Sequence, residues 1–123
     1  MIETYYRQFI LKELLNQNFA VASINYSLLN DSIHFPQPII DCKDAVRWIK
    51  SKAQHYFLDT NNIGLWGSSA GGHLALLSAY YPDEKLQGDT SLQAYSSSVN
   101  YVIDQFAPTD LNKLFRTRLG NPF

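Results

Sequence analysis

The chain has 123 residues, a net charge of -1, and 46% hydrophobic against only 17% charged residues, which suits one domain with one modest core. Near-neutrality excludes the basic footprint of a nucleic-acid binder and any acidic tail, and no apolar run approaches the ~20 residues of a membrane span. The single cysteine, Cys42, excludes an internal disulfide and fits a reducing compartment; with no secretory pattern in the opening residues, the expectation is a cytoplasmic protein.

Ile2, Tyr6, Phe9, Ile10 and Leu14 fall on one stripe, which predicts an amphipathic first helix. Asn18 is suited to a left-handed cap ending it. Residues 19–26 are apolar at both parities and predict a strand covered on two faces, as parallel strands are. After a loop over 27–37, Pro38 can open a second helix whose buried stripe is Ile39, Cys42, Val46, Ile49 and Ala53. Asp41 and Asp44 sit toward its amino end and Lys50 and Lys52 toward its carboxyl end, complementing the helix dipole. Asp59-Thr60-Asn61-Asn62 is a turn into a second strand over 62–66.

A further helix runs to about Tyr81, where Pro82-Asp83 stops it. Residues 83–98 are polar and serine-rich, a surface loop that is ordered only if something covers it. Residues 99–106 predict a third strand, and Asp110 caps a short final helix ending near Gly120. Alternating helix and strand argue for an α/β fold with a mainly parallel sheet, right-handed crossovers and helices on both faces.

Between the second strand and the helix after it lies Gly67-Ser68-Ser69-Ala70-Gly71-Gly72. Strand, tight Gly-x-Ser-x-Gly turn and helix is the setting of a nucleophile elbow. There a serine on a strained turn projects its hydroxyl from the sheet edge. Ser69, not Ser68, occupies the central position, and Gly67 and Gly71 suit a turn with no room for side chains. Free N–H groups at the start of the helix aim at the same point, Ala70 first among them, and can hold an oxyanion. A phosphate-binding loop has the same glycine gap, but His73 stands where its lysine should be.

The stretch Trp66-Gly67-Ser68-Ser69-Ala70-Gly71-Gly72-His73-Leu74-Ala75 resembles the elbow of α/β-hydrolases, in particular the esterase/lipase group of hormone-sensitive-lipase-like and feruloyl-esterase-like carboxylesterases. Ile24-Asn25-Tyr26-Ser27-Leu28, Phe35-Pro36, Asp41 through Trp48 and Ala107-Pro108-Thr109-Asp110-Leu111 agree with it in order. Ser27 stands where the group usually has arginine. The resemblance implies a three-layer α/β/α sandwich, incomplete here, with about three strands and three to four helices in a single partial domain over 1–123. It also implies a serine carboxylic ester hydrolase that needs no cofactor or metal, acts on a small-molecule ester, and forms an acyl-enzyme at Ser69.

A serine nucleophile needs a base, and the base a carboxylate. His34, His55 and His73 all precede the place the resemblance assigns to the base. His73 is expected to pack beneath the turn, His34 to be a solvated loop residue, and His55 to meet helix-terminal carbonyls. Asp104 and Asp110 belong to the third strand and the loop after it, so Asp110 reads as a cap, and Asp41 and Asp59 as holders of helix and turn geometry. The triad acid, the histidine, the second oxyanion donor and one strand between the first two predicted here would all lie outside this sequence. The expectation is therefore a fragment prone to self-association or to complementation through open sheet edges. A non-catalytic binding or assembly module and a serine peptidase with the same elbow are the rival readings.

Overall fold

A computed structural model describes residues 2–113. The elements are α1 (Ile2–Asn16), α2 (Gln37–Ser51), a one-turn α3 (Ala53–Tyr56), β1 (Gly64–Ser68), α4 (Ala70–Tyr80) and β2 (Tyr101–Gln105), with single 3-10 turns at Asp83–Lys85 and Thr90–Leu92. β1 and β2 pair in parallel with Trp66 opposite Ile103 and Ser68 opposite Gln105. α4, the connection between them, packs on both strands, and α2 packs on α4. The layering is that of an α/β protein. Gly64 is where a side chain would meet the ring of Tyr101 on the neighbouring strand, so the absence of a Cβ lets the aromatic lie across β1.

The core is small and centres on α2. Ile39, Cys42, Val46 and Ala53 of the predicted stripe are buried, and Ile49 is half-buried. Gln37 and Pro38 occupy the first helical positions, where proline's missing N–H costs nothing. Burial raises the Cys42 thiol above its ordinary value. α1 forms as predicted, with Asn18 left-handed (φ 61°) just beyond it, but it touches no other described element.

Two expectations need correction. Residues 19–26 do not form a strand. Their apolar pattern is that of a strand covered on both sides, yet a strand is made by its ladder, and the described sheet has only β1 and β2. Phe19, Val21 and Ile24 accordingly stand 39%, 46% and 37% exposed. The loop over 83–98 is also more than a polar surface segment: it is clamped to α2 by two buried cations that no apolar stripe foretold. Lys43 and Arg47, each 2% exposed, point at it from successive turns of α2.

Asp83 is the hub of this clamp. It accepts from Arg47 Nη2 at 2.5 Å, from Lys43 Nζ at 3.4 Å and from the Ser97 hydroxyl, while its other oxygen accepts the Ser97 N–H at 3.1 Å. Arg47 also reaches Asp44 at 2.7 Å and the Leu86 carbonyl at 3.3 Å, and Asp44 takes the Asp89 N–H at 2.7 Å. Burial opposes ionisation of Asp83, but the Ser97 donors, then Arg47 and Lys43, outweigh it and hold its carboxyl below the usual range. Every buried charge here has a partner, which is the condition for such a cluster to be tolerated.

Candidate active site

β1 ends at Ser68, α4 starts at Ala70, and Ser69 alone makes the turn, at φ 54° and ψ -119°. A non-glycine residue there is strained and persists only where its surroundings hold it. Two backbone bonds do so. The Ser69 N–H donates to the Gln105 carbonyl at 2.8 Å, and the Ser69 carbonyl accepts the His73 N–H at 3.1 Å. The serine is thereby tied to the carboxyl edge of β2 on one side and to the first turn of α4 on the other, and its own side chain is exposed.

This anchoring decides which amides can act on a ligand. The Ser69 N–H is committed to Gln105, so the first N–H left open at the head of the 11-residue α4 is that of Ala70. The helix end adds its partial positive charge at the same place.

The glycines divide differently from the expectation. A Cβ on Gly67 would overlap the carbonyl of Gly71 and crowd the Gly72 nitrogen at 2.5 Å. Gly67 must therefore be bare for strand and helix to meet. A Cβ on Gly71 meets nothing within 4 Å, so the turn does not require glycine there. The second crowded position is Gly72, where a Cβ would run into the Asp104 carboxylate and approach Ala107 Cβ at 3.1 Å. The spacing of the motif drew attention to Gly71; the packing of α4 against the end of β2 makes Gly72 the constrained residue.

The carboxylates are structural, as expected. Asp104 accepts the Ala107 N–H at 3.0 Å and fixes the chain as it leaves β2. Asp110 accepts the Lys113 N–H at 3.0 Å at the start of a helical turn over 111–113; the predicted end of that helix near Gly120 lies outside the described residues. Asp41 takes the Ser27 N–H and Gln37 Nε2, both at 2.7 Å, tying the preceding loop to α2. Burial works against its ionisation, but these donors prevail and lower its pKa. Asp59 accepts the Asn61 N–H at 2.9 Å within its turn.

The histidines do not converge on the serine. His73 is half-buried and lines a shallow apolar depression of about 310 Å³ with Leu76, Leu77, Tyr80, Tyr81 and Thr109. His34 is exposed, with its carbonyl capping the Gln37 N–H at 2.9 Å. His55 is exposed and meets Tyr56 edge-on, ring centres 4.7 Å apart. Apart from the backbone bond from the His73 N–H, no hydrogen bond among the described residues joins the Ser69 hydroxyl to a histidine ring or a carboxylate. Sequence reasoning missed Gln105 as the anchor of the turn, because a backbone acceptor leaves no mark in residue type.

A parallel α/β unit with a strained serine between strand and helix defines the α/β-hydrolase class, and the comparisons agree. Residues 2–121 match the BD-FAE family, to which the chain belongs. An alpha/beta hydrolase of Acanthamoeba polyphaga mimivirus is 41% identical over 76 residues, covering 61% of this chain and 22% of that protein. Among solved structures, a bifunctional GH43-CE protein of Bacteroides eggerthii superposes with a TM-score of 0.75 at 38% identity, over 83% of this chain and 14% of that one. A thermophilic esterase of Thermogutta terrifontis with propionate bound gives a TM-score of 0.60 at 26% identity, over 76% and 38% of the two chains. These likenesses are to esterase-type α/β hydrolases, and the chain spans only 15% to 22% of the length of the curated relatives it matches first.

Proposed function

We propose that this chain carries the nucleophile of a serine carboxylic ester hydrolase, with Ser69 as the attacking group. The observation that carries the reading is the strained Ser69 backbone, held by Gln105 and His73 at the head of α4 with its side chain exposed. In this mechanism Ser69 Oγ bonds to the ester carbonyl carbon and gives up its proton to a base. The carbonyl oxygen becomes an oxyanion facing the Ala70 N–H. Collapse expels the alcohol, which takes a proton, and leaves an acyl-Ser69 ester. Water, deprotonated by the same base, releases the carboxylic acid and restores the serine.

The base and its carboxylate come from polypeptide other than the described residues, since His34, His55 and His73 are placed elsewhere. An open edge of β1 is where complementing chain would join, because the side of that strand away from β2 carries unladdered N–H and C=O groups. The substrate is a small-molecule ester; the esterase names of the relatives support that class.

The test is covalent labelling with a fluorophosphonate probe, read by mass spectrometry on the wild-type chain and on Ser69→Ala. Label on the Ser69 peptide that disappears in the alanine variant supports the nucleophile. A folded chain that takes no label, alone or with the rest of its polypeptide, refutes it and favours a non-catalytic assembly module.

A further inference from the structure

Among the described residues four non-glycine positions have positive φ: Asn18, Phe57, Ser69 and Phe106. The first two have an ordinary cause. Asn18 follows the end of α1, and Phe57 is the left-handed cap of α3. The other two end no helix. Ser69 and Phe106 follow the last residues of β1 and β2, which are paired neighbours, Ser68 opposite Gln105. The link between them is direct, because the Ser69 N–H is bonded to the carbonyl of Gln105, the residue joined to Phe106.

Phe106 is an unlikely residue for that conformation. A side chain with φ 60° is strained, and phenylalanine has no polar atom with which to offset the strain locally. Its ring is 90% exposed, so it contributes no core packing in return. The chain is nevertheless held in this shape from both sides, by the Gln105 bond to Ser69 and by Asp104, which takes the Ala107 N–H at 3.0 Å. Strained backbone that its neighbours over-determine clusters at binding sites. An apolar side chain exposed to solvent on the residue next to the Ser69 anchor offers a surface to an apolar group.

We propose that Phe106 is a specificity-determining residue whose ring forms an apolar wall beside Ser69, against which the hydrocarbon part of an ester lies while its carbonyl carbon meets Ser69 Oγ. The proposal rests on Ser69 marking the reacting position. It favours esters with an extended hydrocarbon group over acetate-sized ones, and makes the preference depend on one ring.

Binding to the Ser69→Ala chain tests it, since that background cannot turn substrate over and needs no base. Ligand-observed NMR would compare ethyl acetate, ethyl hexanoate (extended on the acyl side) and hexyl acetate (extended on the alcohol side), each with Phe106, Phe106→Ala and Phe106→Tyr. Loss of the ring should weaken one or both of the esters carrying a six-carbon chain about tenfold, as expected for an apolar contact of this size. Ethyl acetate should change less than twofold, and Phe106→Tyr should restore the preference. Which long ester responds identifies the side of the bond that meets the ring. Equal weakening of all three esters, no change on removing the ring, or no binding of any of them overturns the proposal. Unchanged thermal denaturation of Phe106→Ala separates loss of a wall from loss of fold. Ring-dependent binding with an unreactive Ser69 would leave the wall standing and remove the nucleophile; a reactive Ser69 with ring-independent binding would do the reverse.

Discussion

Adding one methyl group at Gly67 should disassemble the turn, whereas the same methyl at Gly71 should be harmless. In Gly67→Ala the new Cβ falls on the carbonyl of Gly71 and against the Gly72 nitrogen at 2.5 Å. Those are main-chain atoms of the first turn of α4, and no rotamer change can move them aside. Overpacking costs roughly 1–3 kcal/mol, and an obstacle that cannot rotate puts this case near about 3 kcal/mol. That is about a hundredfold in the folding equilibrium, and roughly 10–15 °C in midpoint for a chain of this size. Gly71→Ala meets nothing within 4 Å and exchanges glycine for a better helix former, so its change should lie between zero and a gain of about 0.5 kcal/mol. Urea denaturation followed by tryptophan fluorescence reads both, Trp66 being on β1 itself. Equal stability of Gly67→Ala and wild type, or equal damage from the two substitutions, would refute this account of the turn.

Removal of the hub of the clamp has a pH signature. The folded pKa of Asp83 is lowered, so its contribution is present above the unfolded carboxylate value of about 3.9 and is lost as pH falls through the folded value. Asp83→Asn should cost about 2–3 kcal/mol at pH 7, by leaving Lys43 and part of Arg47 buried without their anion. The wild type's extra stability over that variant should start to shrink as pH falls below about 4 and be lost only once pH passes below the lowered folded value, and a gap that did not narrow with acid would contradict the assignment. Phe57→Gly should stabilise the chain by about 0.5 kcal/mol, since a ring 96% exposed at φ 55° gives up strain and almost no packing; thermal denaturation decides it.

What could be read from the sequence was whatever depends on local pattern. The stripe Ile39, Cys42, Val46 and Ala53 marked the inward face of α2, and Asn18, Pro38 and Asp59 marked ends and turns by intrinsic backbone preference. The strand–serine–helix junction at Ser69 was legible because glycine at position 67 has a steric reason. What depends on partners was not. Residues 19–26 have strand chemistry but no ladder, since pairing is decided by a neighbour and not by the strand's own residues. Nothing in the local pattern of α2 marks Lys43 and Arg47, whose partners Asp83 and Ser97 reach them across the fold. Phe106 looked like the end of a strand, and only its dihedral and its place beside Ser69 set it apart.

The clamp of α2 on the loop over 83–98 also bears on the order of folding. Its bonds join residues 36 to 54 apart in sequence, and the whole of β1, Ser69 and α4 lies inside the closed segment. Closing a loop of that length costs about 3 kcal/mol in chain entropy before any contact returns it. Sequence-distant pairing of this kind slows folding. The serine turn thus lies within a circuit fastened at residues remote from it in the chain, and its strained geometry should appear late, after α2 and the loop have met. Substitutions in the clamp would then show themselves chiefly as slower acquisition of a reactive serine during refolding.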